Sequence, residues 1–184
     1  ISSVCRMPLC YGGGIKSIED VKKIISYGVE KISISANIKN TSLLSEISKV
    51  AGTQSNVVCA NIKKNNDKYL IINSYNKKIL WDDIRIFLND MNNCGVGEII
   101  FNFMDKDGMM NGYDTIFLKR YSKYIDVPFT ILGGAGSKIH LEEIINIKPI
   151  IGAACGSLFT YKGINNAILL NYLTKEEKNK LFNK

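Results

Sequence analysis

At 184 residues, with 46% apolar and 22% charged side chains, the chain has the make-up of a globular protein with a sizeable core. No apolar run nears the roughly 20 residues of a membrane span, and ISSVCRMPL lacks the basic segment and apolar core of a signal peptide. The formal charge is +7, yet the lysines are spread over helix faces and IKKNNDKYLIINSYNKK with no arginine stripe, which argues against nucleic acid and leaves local positive potential for an anionic ligand.

The predicted elements alternate. Short runs rich in Ile, Val and Phe read as buried strands near Pro8–Tyr11, Lys31–Ser35, Asn56–Asn61, Glu98–Phe103, Pro128–Leu132 and Pro149–Ala154. Amphipathic stretches between them read as helices near Ser17–Tyr27, Thr41–Val50, Trp81–Asn93, Asp114–Tyr124, Ser137–Asn146 and Ile164–Tyr172, with a last one over Lys175–Phe182. Ser17 and Asp20 have the spacing of a capping box. The stretch Ile62–Ile79 is too long for a plain connection and alternates around KYLIINS, so it reads as a hairpin excursion. The cysteines (Cys5, Cys10, Cys59, Cys94, Cys155) form no CxxC pair, which fits reduced thiols and a cytoplasmic location.

Strand–helix alternation gives a parallel sheet. Pro8 and Pro128 each open a strand that ends in a glycine cluster, GGGI and GGAG, and lie 120 residues apart. At roughly 30 residues per βα unit that is four units, the repeat of a half-barrel. The expected fold is a (β/α)8 TIM barrel in one domain over 1–184, and six strands leave it short of about two N-terminal units. Glycines at strand ends let a phosphate reach backbone N–H groups, though tight turns alone also use them. Gly133, Gly134, Gly136, Gly156 and Ser157 would form one phosphate site, and Gly13, Gly14 and Ser35 its counterpart half a barrel away. Two such sites imply a small-molecule substrate phosphorylated at both ends.

Asp105 and Asp107 end a strand in FMDKDG, where paired carboxylates at a barrel mouth can move protons. Lys31 and Glu98 each open a buried strand, which places them at the opposite floor, where charges normally pair. His140, the sole histidine, reads as solvated. One histidine and scattered cysteines offer no zinc site, and no dinucleotide fingerprint, P-loop or GxSxG elbow is present, so neither metal nor cofactor is expected.

MPLCYGGGIKSIEDV, EKISIS, GTQSNVVCANIKK, GVGEIIFNFMDKDGMMNGYD, TILGGAGS and CGSLF together resemble the cyclase (HisF-type) subunit of imidazole glycerol phosphate synthase, over nearly the whole chain. The resemblance implies a (β/α)8 barrel that takes ammonia from a glutaminase partner (HisH-type). At the mouth, ammonia would react with a bis-phosphorylated ribulosyl-aminoimidazole carboxamide nucleotide. The products would be imidazole glycerol phosphate and an aminoimidazole carboxamide ribotide. Asp107 would face substrate, Lys31 and Glu98 would form half of a charged ammonia gate, and Glu30 would face the glutaminase. The family's catalytic aspartates lie on strands one and five, and the strand-five position is Asn61, which cannot exchange a proton near neutral pH. Ser35, Ala36 and Met109 also depart from the family's usual Asn, Thr and Thr. The tail GSLFTYKG…AILLNY is similar to the sugar-amidation (WbuZ-type) branch. That branch implies a second role, a non-catalytic subunit that activates a glutaminase and relays ammonia for surface-glycan synthesis. A phosphosugar isomerase of the sister barrel family is a third reading.

Overall fold

The structure, a computed structural model, describes residues 2–147, 152–163, 167–170 and 172–182. Strand β1 (Cys10–Gly12) leads through the glycines to α1 (Ile18–Ser26). The capping box forms as expected: Ser17 Oγ accepts from Asp20 N at 3.2 Å, and Asp20 Oδ2 accepts from Ser17 N at 3.0 Å. Next come β2 (Lys31–Ile34), α2 (Thr41–Ala51) and the long β3 (Asn56–Asn65).

The excursion read from KYLIINS is a hairpin. A two-residue turn, whose first residue Asn66 takes φ 51°, reverses the chain into β4 (Lys68–Ile72), antiparallel to β3. Strand β5 (Ile79–Trp81) pairs with β4, so Trp81 ends a strand and does not start a helix. The helix α3 (Ile84–Asn93) begins instead behind Asp83, whose carboxylate accepts from Arg85 N at 2.7 Å. Then follow β6 (Glu98–Phe103), α4 (Thr115–Tyr121), β7 (Phe129–Leu132), α5 (Lys138–Ile147) and β8 (Gly152–Ala154). Residues 148–151, three of which (149–151) begin the last expected strand, lie outside the described set.

The parallel strands run in the order β1-β2-β3-β6-β7-β8 and make a partial (β/α)8 barrel. Alternation assigns the two faces. Ile32, Ile34, Val58, Ala60, Ile62, Ile99, Phe101, Phe103, Phe129 and Ile131 are buried in one core cluster with Val21, Leu44, Ile47, Phe87, Phe117 and Ile144 of the helices. Lys31, Ser33, Cys59, Asn61, Glu98, Asn102, Thr130 and Leu132 occupy the other face, which is mostly polar.

After β8 come α6 (Ser157–Thr160), β9 (Tyr161–Lys162), β10 (Ala167–Ile168) and α7 (Lys175–Phe182). The helix expected over Ile164–Tyr172 does not form where the chain is described: Ala167–Ile168 pairs antiparallel with Tyr161–Lys162. Gly163, at φ 75°, turns the chain back, and Thr160 O takes the Leu169 amide at 2.9 Å, which a helix would need four residues back. No helix among the described residues is long and apolar enough to cross a membrane.

Candidate functional site

Parallel strands put both glycine clusters at the same, C-terminal end of the sheet. At one side Gly13 and Gly14 line a pocket of about 230 Å³ with Lys16, Ser35 and Asn37. Asn37 Nδ2 donates to Ile15 O at 3.2 Å and ties the two loops together. Gly13 and Gly14 have φ of 117° and 71°, and a Cβ on either would meet nothing within 4 Å. These glycines are therefore demanded by backbone shape, and the space above them is open to a ligand.

At the other side Gly133, Gly134, Gly156 and Ser157 line one small recess with Asp107. Here the glycines have a further reason. A Cβ on Gly134 would fall 2.2 Å from Gly112 O, and one on Gly136 would fall 2.3 Å from Met110 O. The loop after β7 thus packs directly on the loop after β6, and Gly112 N donates to Gly134 O at 2.8 Å. The Gly136 amide donates to His140 Nδ1 at 3.1 Å, so it is aimed at the imidazole and away from a ligand. His140 is correspondingly half-buried and hydrogen-bonded, contrary to the expectation of a solvated side chain.

Asp105 and Asp107 part company. Asp105 Oδ2 accepts from Lys64 N at 2.8 Å and anchors the loop to the extension of β3, while Asp107 borders the glycine recess. The GYD that follows bolts the loop down at two more points. Tyr113 Oη donates to Ala154 O at 2.9 Å. Tyr69 Oη, from β4, lies 3.0 Å from each Asp114 oxygen, and Asp114 also caps α4 by accepting from Phe117 N at 2.9 Å. Burial, then the Asp114 carboxylate, pushes the Tyr69 hydroxyl well above its ordinary range, so it stays a donor.

Asn61 sits at the centre of a ladder across three strands. Its Nδ2 donates to Ser35 Oγ at 2.9 Å, and its Oδ1 accepts from Asn102 Nδ2 at 2.9 Å. Asn102 Oδ1 is buried with no partner among the described residues. Asn102 escaped the sequence reading because it stands in the apolar run IIFNF, but strict alternation from Glu98 through Ile100 would have put it on the polar face. Below the ladder, burial pushes the Cys59 thiol up to about 11.

At the N-terminal end of the same face Lys31 Nζ pairs with Glu98, and Thr130 Oγ1 donates to the other Glu98 oxygen at 3.2 Å. Glu30 is exposed, and its carboxylate accepts from Leu9 N at 2.6 Å. Beside it Ile25, Val29, Val50 and Ala51 line an open hollow of about 620 Å³. Among the described residues no three His, Cys, Asp or Glu side chains lie together to hold a metal ion.

The family model described as "Histidine biosynthesis protein" matches residues 1–165. Several relatives carry the name "Putative imidazole glycerol phosphate synthase subunit", two of which follow. That from Vibrio vulnificus, hisF3, is 40% identical over 98% of this chain and 70% of its own. That from Leptospira interrogans, HisF, is 43% identical over 99% of this chain and 73% of its own. The imidazole glycerol phosphate synthase subunit HisF of Buchnera aphidicola is 34% identical over 95% of this chain and 69% of its own. With the strand-end glycine loops, the floor ion pair and the bolted DKDG…GYD loop in one sheet, the chain belongs to the histidine biosynthesis family, among proteins of the HisF type.

Proposed function

We propose that the protein is the ammonia-using subunit of an imidazole glycerol phosphate synthase. It would convert a bis-phosphorylated ribulosyl-aminoimidazole carboxamide nucleotide to imidazole glycerol phosphate and aminoimidazole carboxamide ribotide. The observation that carries this is the layout of the polar face: an ion pair at one strand end, two glycine loops and Asp107 at the other. Phosphate groups at the two ends of one substrate would take the backbone N–H groups of Gly13–Gly14 and Gly133–Gly134, with Lys16 adding charge on one side. Asp107 would meet the reacting portion. A glutaminase of the HisH type would dock at the Lys31–Glu98 end, over Glu30 and the apolar hollow, and ammonia would pass along the face. This chemistry belongs in the cytoplasm.

Calorimetric titration with the bis-phosphorylated nucleotide tests the binding step. One nucleotide per chain, competed by inorganic phosphate, is the expected result, and two independent weak sites would contradict it.

A second role is favoured by Asn61. The amide is held from both sides by Ser35 and Asn102 and supplies no proton acceptor for catalysis. In that role the protein binds and activates a glutaminase and passes ammonia to a separate acceptor, as in sugar amidation for surface glycans. Mixing with the partner glutaminase separates the two. Glutamine hydrolysis that rises while no imidazole product forms belongs to the relay role.

A further inference from the structure

We propose that His140 is a positioning residue that pins the two loops of the Asp107 side of the mouth to each other. Its Nδ1 accepts the Gly136 amide at 3.1 Å, which fixes the far end of the glycine loop to the third residue of α5. Its ring edge lies near the neighbouring loop, one methyl group away: a Cβ on Gly112 would reach van der Waals distance of His140 Cδ2, at 3.6 Å. Gly112 N in turn donates to Gly134 O at 2.8 Å. One imidazole therefore holds one loop by a hydrogen bond and stands beside the other, next to the residues through which the two loops are bonded. An accepting Nδ1 requires the neutral ring with its proton on Nε2. The Gly136 amide is committed to this contact, and phosphate takes the other amides of the loop. This last step rests on the phosphate reading given above, whereas the pin itself does not.

His140 is the only histidine in the chain, so its imidazole ¹⁵N signals need no assignment by mutation. In the full chain they are expected to show Nδ1 as a hydrogen-bond acceptor, coupled to the Gly136 amide before and after inorganic phosphate is added. The Gly136 amide is expected to exchange slowly with solvent. Replacement by alanine, His140→Ala, removes the acceptor. Replacement by asparagine, His140→Asn, places a carbonyl oxygen two bonds from Cβ, where Nδ1 stands, and restores it. Exchange at Gly136 should speed up about five-fold or more in His140→Ala and return toward the natural rate in His140→Asn. Affinity for inorganic phosphate, followed at the Gly134 amide, should fall about five-fold in the first variant and hold within about two-fold in the second. Unchanged exchange in His140→Ala, or exchange in His140→Asn as fast as in His140→Ala, overturns the pin. An Nδ1 that releases Gly136 when phosphate arrives overturns the commitment of that amide. A natural protein that binds no phosphate, with exchange in the expected order, removes the phosphate reading and leaves the pin standing.

Discussion

Gly156 offers the cleanest single-residue test of the phosphate reading. Valine at Gly134 would drive a side chain into Gly112 O, so lost binding there would report a broken loop contact as well as a blocked ligand. Gly156 has φ −99°, and a Cβ would meet nothing within 4 Å. Gly156→Ala should therefore leave the unfolding midpoint in urea unchanged and weaken phosphate-ester binding several-fold. Equal affinity would show that no anion approaches this backbone. Asn61 is informative in the other direction. A carboxylate in its place would find two donors waiting, the Ser35 hydroxyl and the Asn102 amide, which would hold it ionised and ready to accept a proton. The glycines could be read from the sequence by their place at strand ends and the floor charges by their place at strand starts, whereas Asn61 stood out only through the resemblance to the HisF type, whose strand-five aspartate it replaces. Asn102, Lys16 and the His140 contact could not be singled out in the same way. Alternation gives the face of Asn102, but which neighbour each of the three meets across strands or loops is not carried by spacing along the chain.

The β4 hairpin and the DKDG…GYD loop are joined by a buried link between Tyr69 and Asp114, besides the exposed bond from Lys64 N to Asp105. Tyr69 lies within edge-on distance of Phe103, Phe117 and Tyr121, and its hydroxyl is the donor facing Asp114. Tyr69→Phe keeps the ring packing and removes the donor from a buried carboxylate. We expect it to cost about 2 kcal/mol in urea unfolding and to loosen the loop that carries Asp107. Tyr75→Phe, at a side chain 94% exposed on the same excursion, should stay within about 0.5 kcal/mol of the natural protein. A cost for Tyr69→Phe no larger than that of Tyr75→Phe would remove the link. Strand positions followed from short apolar runs such as those of KISI and EIIFNF, whose burial alternates in the structure, and the capping box fixed the start of α1. The boundary at Trp81 was missed because the ladder to β4 claims that residue before α3 can begin. The segment after Thr160 was missed for a similar reason: a glycine turn and one long-range amide contact outweigh an apolar spacing that suits a helix.

At the scale of the whole molecule, the polar face joins two chemically different ends, an ion pair at the floor and glycine loops at the mouth. Lys31 and Glu98 lie at the floor, away from both glycine loops, and under the proposed function they would serve the passage of ammonia and not the binding of phosphate. Glu98→Gln removes the charge that holds Lys31. The ratio of glutamine-driven to ammonium-driven turnover should fall several-fold, because only the first nitrogen source must enter through the floor. An unchanged ratio would take the ion pair out of the ammonia path. The partial barrel itself was legible from the four-unit distance between the glycine clusters, since a repeat of that length has few other solutions.

The most direct measurement is the loss of bis-phosphorylated nucleotide with ammonium salt as the nitrogen source, for the natural protein and for Asn61→Asp side by side. An ammonia-using cyclase consumes the nucleotide and releases imidazole glycerol phosphate with Asn61 in place, and gains rate when the carboxylate is introduced. No consumption by the natural protein under conditions where the nucleotide is bound would contradict the cyclase assignment, and turnover confined to Asn61→Asp would transfer the protein to the ammonia-relay role.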